Sequence, residues 1–288
     1  MFPLVKIRSE RDQMSAVERR IADFLLDNAG LLRDYSSQQL ANALGISQSS
    51  VVKFSQKLGF KGYPDLKYSI GEAIARADTA ENGPNAASSD SDEADDPASQ
   101  LWRRKAEAEQ ATRLLNPPDV LAAAAAAISG ETESGERANK VFLIGFGVDD
   151  IHARAFAMKL ALLGISTVHN FDAARMAANV SSVTRGDVLM VFSEHGQHPA
   201  LCKISHWVHE HHGKVVTVSR NTANPLRAMA DVALVVSAHD EAAEIEPLLY
   251  QSALHHLLDG VFLQLCQDRV RRENLRANLD RIQNMLGS

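Results

Sequence analysis

The sequence predicts two domains of different class: an all-α helix-turn-helix domain, then an α/β domain built on a doubly wound parallel sheet. Three observations predict this arrangement. Residues 37–60 carry two short helical patterns joined by a tight turn, and residues 140–236 carry five short β-branched runs that alternate with helical segments. Residues 78–100 hold seven acidic residues and no basic one, which is typical of a flexible linker. We therefore expect domains at 1–77 and 101–288.

The first helical pattern in residues 37–60 places its apolar side chains on one face and stops at Gly45, where a positive φ commonly closes a helix. Ser47 is the expected N-cap of the second helix. The apolar stripe of that second helix is formed by Val51, Val52, Phe54 and Leu58. Ala41, Gly45 and Val51 have the spacing of a DNA-binding helix-turn-helix, because its helices cross closely at a tight turn.

The polar side chains of the second helix predict a recognition helix. An ordinary helical hairpin is the alternative, but such a helix would more often carry Glu, whereas Gln, Ser and Lys reach base edges and phosphates. The candidate DNA contacts are Ser47, Gln48, Ser49, Ser50, Lys53, Gln56, Lys57 and Lys61. We expect double-stranded DNA with a near-palindromic operator as the partner, since helix-turn-helix proteins usually read two half-sites as dimers.

Charge is segregated along the chain. The net charge is −6, yet residues 1–77 carry 11 basic and 8 acidic residues. Positive charge at the helix-turn-helix alone suits a nucleic-acid module joined to a domain with another ligand. The two cysteines lie far apart, there is no charged-then-apolar leader, and the apolar runs are too short for a bilayer. We expect a cytoplasmic protein with no membrane contact.

The remaining elements follow in order. A helix capped by Ser15 precedes the helix-turn-helix, and Pro64 begins a helix after it. Helices are predicted at 101–115 and 118–129, then a polar loop to 139. The five β-branched runs are 140–145, 166–170, 187–193, 214–219 and 231–236. Apolar strands that alternate with helices predict a parallel sheet, whose ligands bind at the carboxyl ends of the strands.

Two of these strand ends carry turns that could bind a ligand. The first contains Gly145 and Gly147 and resembles half of a dinucleotide fingerprint, but the third glycine is absent, which argues against NAD. The second runs from Ser193 to His198 and contains Gly196. No cofactor is predicted.

These pieces, in this order, resemble the bacterial RpiR-type transcriptional regulators. The resemblance is closest in residues 18–24, 40–47 and 51–60, and Asn224-Pro225-Leu226 also fits. It implies a C-terminal sugar-isomerase (SIS) domain with a flavodoxin-like sheet that senses phosphosugars, and hence a regulator of carbohydrate metabolism rather than an enzyme. In that family, serines and threonine of two turns, with helix-terminal N–H groups, hold the phosphate.

The sequence departs from both family turns. Gly145, Gly147, Ser193 and Gly196 match, but the other hydroxyl positions hold Asp149, His195 and His198. We expect Asp149 to cap the N–H groups that a phosphate needs and to repel the dianion. Two explanations stay open. Either the effector has changed, for example to a sugar acid contacted by the histidines, or the domain binds no small ligand and only oligomerises.

Two further functions have weaker support. His198, Cys202 and His206 are spaced i, i+4, i+8 and could ligate a metal, but a buried Cys202 against the sheet is the simpler interpretation, so no metal is predicted. A sugar-phosphate isomerase would need a base, for which Glu241, Glu244 and Glu246 are candidates. A solvated acidic loop is the simpler interpretation of these three.

The C-terminus predicts a homo-oligomer, either a dimer or a tetramer. Leu275, Leu279, Ile282 and Leu286 repeat at 4-3-4 spacing, which is typical of a helix seam that packs on a partner. Packing of this helix back on its own domain is the alternative.

Overall fold

A computed structural model of the chain describes residues 3–28, 35–81, 96–130, 140–240 and 242–287. The chain divides into two compact units. One comprises Met1–Leu114 with Ser237–Leu249, and the other comprises Leu115–Val236 with Tyr250–Ser288.

The N-terminal part of the first unit is helical. Its elements are α1 (Pro3–Glu10), a short 3₁₀ turn (Arg11–Gln13), α2 (Ala16–Asp27), α3 (Ser37–Leu44), α4 (Gln48–Lys57) and α5 (Tyr63–Glu81). Their shared core contains Ile21, Leu40, Val51, Phe54 and Leu66, all at most 1% exposed. This cluster joins α2 to the two helices of the predicted helix-turn-helix, so the motif is part of a packed domain rather than an isolated hairpin.

The helix ends form where the sequence predicts them. Ser15 caps α2 in a reciprocal capping box with Glu18. Gly45 closes α3 with φ +60° in the left-handed region, and the Ser47 hydroxyl accepts the backbone N–H of Ser50 to begin α4.

The range predicted as a linker is helical at both ends rather than irregular throughout. Helix α5 continues to Glu81, and α6 (Pro97–Leu115) begins within the same range. The middle of the range, residues 82–95, lies outside the described residues, so the linker and the domain limits stay predictions. The predicted loop at 131–139 also lies outside them.

The second unit is built on a sheet of parallel strands in the order β2-β1-β3-β4-β5. The strands are β1 (Val141–Ile144), β2 (Thr167–His169), β3 (Val188–Phe192), β4 (Lys214–Arg220) and β5 (Val232–Val236). All five coincide with the predicted runs to within about two residues, so the doubly wound α/β prediction is confirmed. Every residue of β1 and β3 is buried, because helices cover both faces of these inner strands.

The helices of this part of the chain are α7 (Pro118–Ser129), α8 (Val148–Leu162), α9 (Ala173–Val180), α10 (Pro199–Glu210), α11 (Pro225–Ala228), α12 (Glu246–Leu265) and α13 (Arg269–Leu286). None of the helices in the described part of the chain combines the length and the apolar character that a membrane span requires.

The last helix packs on the domain through a polar face. Asn274 and Asn278 donate their side-chain N–H groups to the carbonyls of Leu163 and Leu162, at the end of α8. Of the predicted leucine seam, Leu275 is partly buried, whereas Leu279 and Ile282 are 48% and 38% exposed. Whether the seam packs on a partner or back on its own domain stays a prediction.

Candidate functional site

The exposed face of α4 carries the predicted DNA-binding side chains. Ser49, Lys53 and Gln56 are spaced i, i+4, i+7 and are exposed, whereas Val51 and Phe54 are buried in the helical core. The buried residues orient the helix, so these three polar side chains lie together on its outer surface.

The first turn of α4 is held by hydroxyl and amide contacts. The Ser47 hydroxyl lies 2.9 Å from that of Ser49 and 2.8 Å from that of Ser50. Gln48 donates its side-chain N–H to the hydroxyl of Ser37, at the start of α3, over 2.9 Å. These contacts keep small polar groups at the helix N-terminus, where backbone N–H groups favour a phosphate.

The two lysines at the end of the motif differ in their surroundings. Lys57 forms an ion pair with Glu18 of α2 at 2.9 Å, whereas the Lys61 side chain is exposed. Burial alone would raise the pKa of Glu18, but hydrogen bonds from Lys57 and Ser15 outweigh it and lower that pKa. Because Glu18 already neutralises Lys57, we expect Lys57 to contribute less to DNA binding than Lys53.

A cavity of about 490 Å³ lies at the carboxyl ends of β1 and β3. In this strand order the chain turns to opposite sides of the sheet after β1 and β3, and open α/β sheets bind ligands at such a switch point. The lining residues are Phe146, Val148, Asp149, Ser193, Glu194, His195, Gln197, His198 and Leu201. The structure thus brings together the two turns that the sequence singled out.

The turn after β1 requires its glycines. A Cβ atom at Gly145 would lie 2.5 Å from the carbonyl carbon of Asp149, so the end of the strand and the first turn of α8 approach too closely for any other residue. Gly147 has φ +61° and is the N-cap residue of α8. Because glycine has no side chain, the N-terminus of α8 has no side-chain cap.

Asp149 hydrogen-bonds across to the second turn. Its Oδ2 accepts the backbone N–H of Glu194 at 3.1 Å. Asp149 thus accepts one N–H group of the turn after β3, and its predicted effect on a phosphate stays a prediction. Burial raises the pKa of Asp149, and the charge of Glu194 raises it further, while the Glu194 N–H and His195 act in the opposite direction.

The turn after β3 is fixed by a neighbouring loop. Gly196 has φ +63°, and a Cβ atom there would lie 2.0 Å from the side-chain oxygen of Asn224. That oxygen accepts the N–H of Arg227 at 2.8 Å and caps α11. The carbonyl of Gly196 also accepts the N–H of Leu226. The segment Asn224-Pro225-Leu226 therefore holds the turn after β3 in place.

The two predicted histidines have different roles at the cavity. His198 is the N-cap of α10: its Nδ1 accepts the N–H of Ala200 at 3.3 Å, and its ring lies 4.5 Å from that of Phe146. His195 is exposed at the cavity mouth.

Beside these residues the structure reveals an ion pair that the sequence did not predict. Glu194 accepts hydrogen bonds from the Arg220 guanidinium at 2.6 and 2.8 Å, and that guanidinium lies 5.1 Å from the ring centroid of Tyr250. Burial raises the pKa of Tyr250 well above its ordinary value, and the charges of Asp149 and Glu194 raise it further. Arg220 ends β4, so its position at a strand end was the available signal.

Two contacts made by histidine side chains were also not predicted from the sequence. His169 at the end of β2 lies 2.9 Å from the Asp150 carboxylate. His152 of α8 is 4% exposed and has its Nδ1 3.2 Å from Nε2 of His255 in α12. Its own Nε2 has no hydrogen-bond partner among the residues that the structure describes. Burial lowers the pKa of His152, and His255 lowers it further, against the charge of Glu194. No sequence pattern connects residues so far apart.

The structure assigns other contacts to the residues of the metal alternative. His198 caps α10, and His206 lies 3.4 Å from Glu210 on the same helix. Across the described ranges, no three His, Cys, Asp or Glu side chains come together as a metal site. The candidate bases of the enzyme alternative are also absent from the described lining of the cavity: Glu244 is exposed, Glu246 lies 3.4 Å from His239, and Glu241 is outside the described residues.

Comparisons with known proteins agree with both parts of the chain. Residues 1–77 match the helix-turn-helix domain of the rpiR family, and residues 136–258 match the SIS domain. The HTH-type transcriptional regulator YfhH of Escherichia coli K12 is 30% identical over 271 residues, which cover 93% of each chain.

Two solved structures share the fold. The NanR protein of Vibrio vulnificus, complexed with ManNAc-6P, is 19% identical with a TM-score of 0.60, and the match covers 99% of this chain and 100% of that one. The sugar isomerase domain of an RpiR transcription factor from Sphaerobacter thermophilus is 17% identical with a TM-score of 0.56, covering 65% and 98%.

Proposed function

Because the chain belongs to the rpiR family of helix-turn-helix transcriptional regulators, we propose that α4 binds operator DNA and that the cavity of the SIS domain senses a carbohydrate-derived effector. The observation that carries the DNA assignment is the outer face of α4, where Ser49, Lys53 and Gln56 lie together. The carboxamide of Gln56 can read a base edge, and the ammonium of Lys53 can neutralise a phosphate.

Lys53 provides the test of DNA binding. The operator is first selected from a random-sequence library with the wild-type protein. Lys53→Glu removes one phosphate contact and adds a repulsive charge, so the affinity should fall by about 20-fold at physiological salt. A gel-shift titration at several salt concentrations measures this loss.

Lys214→Glu is the matched control, because Lys214 is exposed at the start of β4 and the charge change is identical. It should bind the operator as the wild type does. Equal affinity of the Lys53 variant and the wild type, with both proteins in the same oligomeric state, would refute the assignment of α4.

Effector sensing is supported by the cavity and by a relative. A cavity of about 490 Å³ has the size of a small-molecule site, and its lining mixes the apolar Phe146 and Leu201 with polar side chains. NanR of Vibrio vulnificus, which shares the fold, is complexed with ManNAc-6P. We carry over from it the sensing role and the sugar-derived class of ligand.

We propose a sensor rather than an enzyme. Isomerisation of a sugar needs a positioned general base. The described acidic residues of the cavity are Asp149, which accepts the Glu194 N–H, and Glu194, which is paired with Arg220. Asp149 thus joins the two turns and Glu194 joins the second turn to the end of β4, so both carboxylates have structural contacts, which favours a binding role.

A dimer is the proposed assembly, because α13 presents Leu279 and Ile282 to solvent while its polar face holds the domain. Two copies would place two recognition helices on the half-sites of one operator. Effector binding would then act by changing the spacing of the two DNA-binding heads. A regulator of this kind works in the cytoplasm, where the chromosome is.

A further inference from the structure

The cavity of the SIS domain carries a carboxylate on each of its two turns, and the two carboxylates differ in how they are compensated. Glu194 is neutralised by Arg220 through two hydrogen bonds. Asp149 has the backbone N–H of Glu194 as its hydrogen-bond donor and the exposed His195 as its neighbouring titratable base. The negative charge that faces the cavity is therefore mainly that of Asp149.

Asp149 also occupies one of the N–H groups that an incoming anion would use. Turns that lead from a parallel strand into a helix bind anions through backbone N–H groups. Here the N–H of Glu194, in the turn after β3, already donates to Asp149 at 3.1 Å. A phosphate in this turn would have to displace the carboxylate and then remain beside its charge.

The histidines leave few donors for an anion in the cavity. Nδ1 of His198 accepts the N–H of Ala200, and its ring packs against Phe146. While Nδ1 caps α10, Nε2 is the one nitrogen of this ring that can donate to a ligand. The His195 side chain is exposed at the cavity mouth, where solvent screens electrostatic interactions.

We infer that Asp149 is the specificity-determining residue of this cavity and acts as a built-in anion, so that the site excludes phosphate monoesters and binds an uncharged or amine-bearing sugar. The hydroxyl or ammonium groups of such a ligand would donate to the free lone pairs of Asp149, and its carbon face would pack on Phe146. This inference rests on the proposed sensing function and names the class of its ligand.

The test replaces the carboxylate by a small hydroxyl. Full-length wild type, Asp149→Ser and the control Asp150→Ser are titrated with inorganic phosphate, glucose 6-phosphate and glucosamine, with melting temperature as the readout, because a ligand that binds the native state raises it. Asp150 is the adjacent carboxylate on α8 but pairs with His169 and does not line the cavity. Asp149→Ser should bind glucose 6-phosphate at least about tenfold more tightly than the wild type, which is about 1.4 kcal/mol. Asp150→Ser should behave as the wild type.

Either of two results would overturn the inference. Asp149→Ser could bind phosphate and glucose 6-phosphate no more tightly than the wild type does, or Asp150→Ser could gain as much affinity as Asp149→Ser. If the serine variant does not fold, Asp149→Asn carries the same test, because its amide oxygen can still accept the Glu194 N–H.

The same protein preparations are titrated with operator DNA in the absence of sugar. If operator binding is intact but the ligand titrations contradict the prediction, only the role of Asp149 is refuted. Failure of the wild type to select any operator sequence would instead refute the proposed function.

Discussion

Replacing Gly196 by alanine should destabilise the SIS domain through two separable effects. The first is backbone strain, because φ at Gly196 is +63° and a residue with a Cβ loses about 1–2 kcal/mol in the left-handed region. The second is steric: the new Cβ would lie 2.0 Å from the Asn224 side-chain oxygen, so Asn224 must move. Moving it sacrifices the cap on α11, which contributes about 1 kcal/mol.

Together these effects predict a loss of about 3 kcal/mol, or about 6–12 °C in melting temperature for a unit of this size. Gly186→Ala is the matched control, because Gly186 also has a positive φ of +93° but a Cβ there meets nothing within 4 Å. Gly186→Ala should lose about 1–2 kcal/mol of stability, through backbone strain alone. Differential scanning calorimetry of the full chain measures both variants.

A double-mutant cycle isolates the steric effect. In an Asn224→Ala background the obstructing side chain is gone, so Gly196→Ala should cost only what Gly186→Ala costs, and the two substitutions should be non-additive by about 1 kcal/mol or more. Additive effects, or a Gly196→Ala loss no larger than that of the control, would refute the contact between the two loops.

Two other predictions concern pH and assembly. The folded-state pKa of His152 is lowered from its ordinary value of 6.5, so the unfolded chain takes up a proton first and stability should fall as the pH drops below about 6.5. In urea titrations, His152→Gln should lose less free energy of unfolding between pH 7 and pH 5.5 than the wild type does. A substitution of the exposed His206 should keep the wild-type difference, and an equally small difference in that variant would contradict the role of His152. The double variant Leu279→Glu, Ile282→Glu should halve the mass in analytical ultracentrifugation, and Asn284→Glu, which adds charge on an exposed residue outside the seam, should not. An unchanged mass for the double variant would remove α13 from the interface.

The helix-turn-helix could be predicted because its determinants are local. The cap at Ser47, the left-handed Gly45 and the buried Val51 and Phe54 act over a few residues, and the structure assigns them the expected roles. The same holds for the strands, since each is a short β-branched run. What these patterns could not predict is Lys57, whose ion pair with Glu18 joins residues 39 positions apart.

The contacts within the cavity depend on the order of the strands. Asp149 meets Glu194 because β1 and β3 are neighbours in the sheet, although β2 lies between them in sequence. Arg220 reaches Glu194 because β4 pairs with β3. A sequence pattern identifies each strand end but not which ends are adjacent, so the residues of the site could be proposed singly while their pairing could not.

The carbonyl groups at the end of α8 decide which face of α13 packs on the domain. The carbonyls at the end of α8 have no intrahelical donors, and buried helix ends need partners. Asn274 and Asn278 supply side-chain N–H groups to Leu163 and Leu162, which a leucine could not do. The helix therefore turns its amides inward, while Leu279, Ile282 and Leu286 of the predicted seam are exposed. These three apolar side chains are the ones that the proposed dimer would cover.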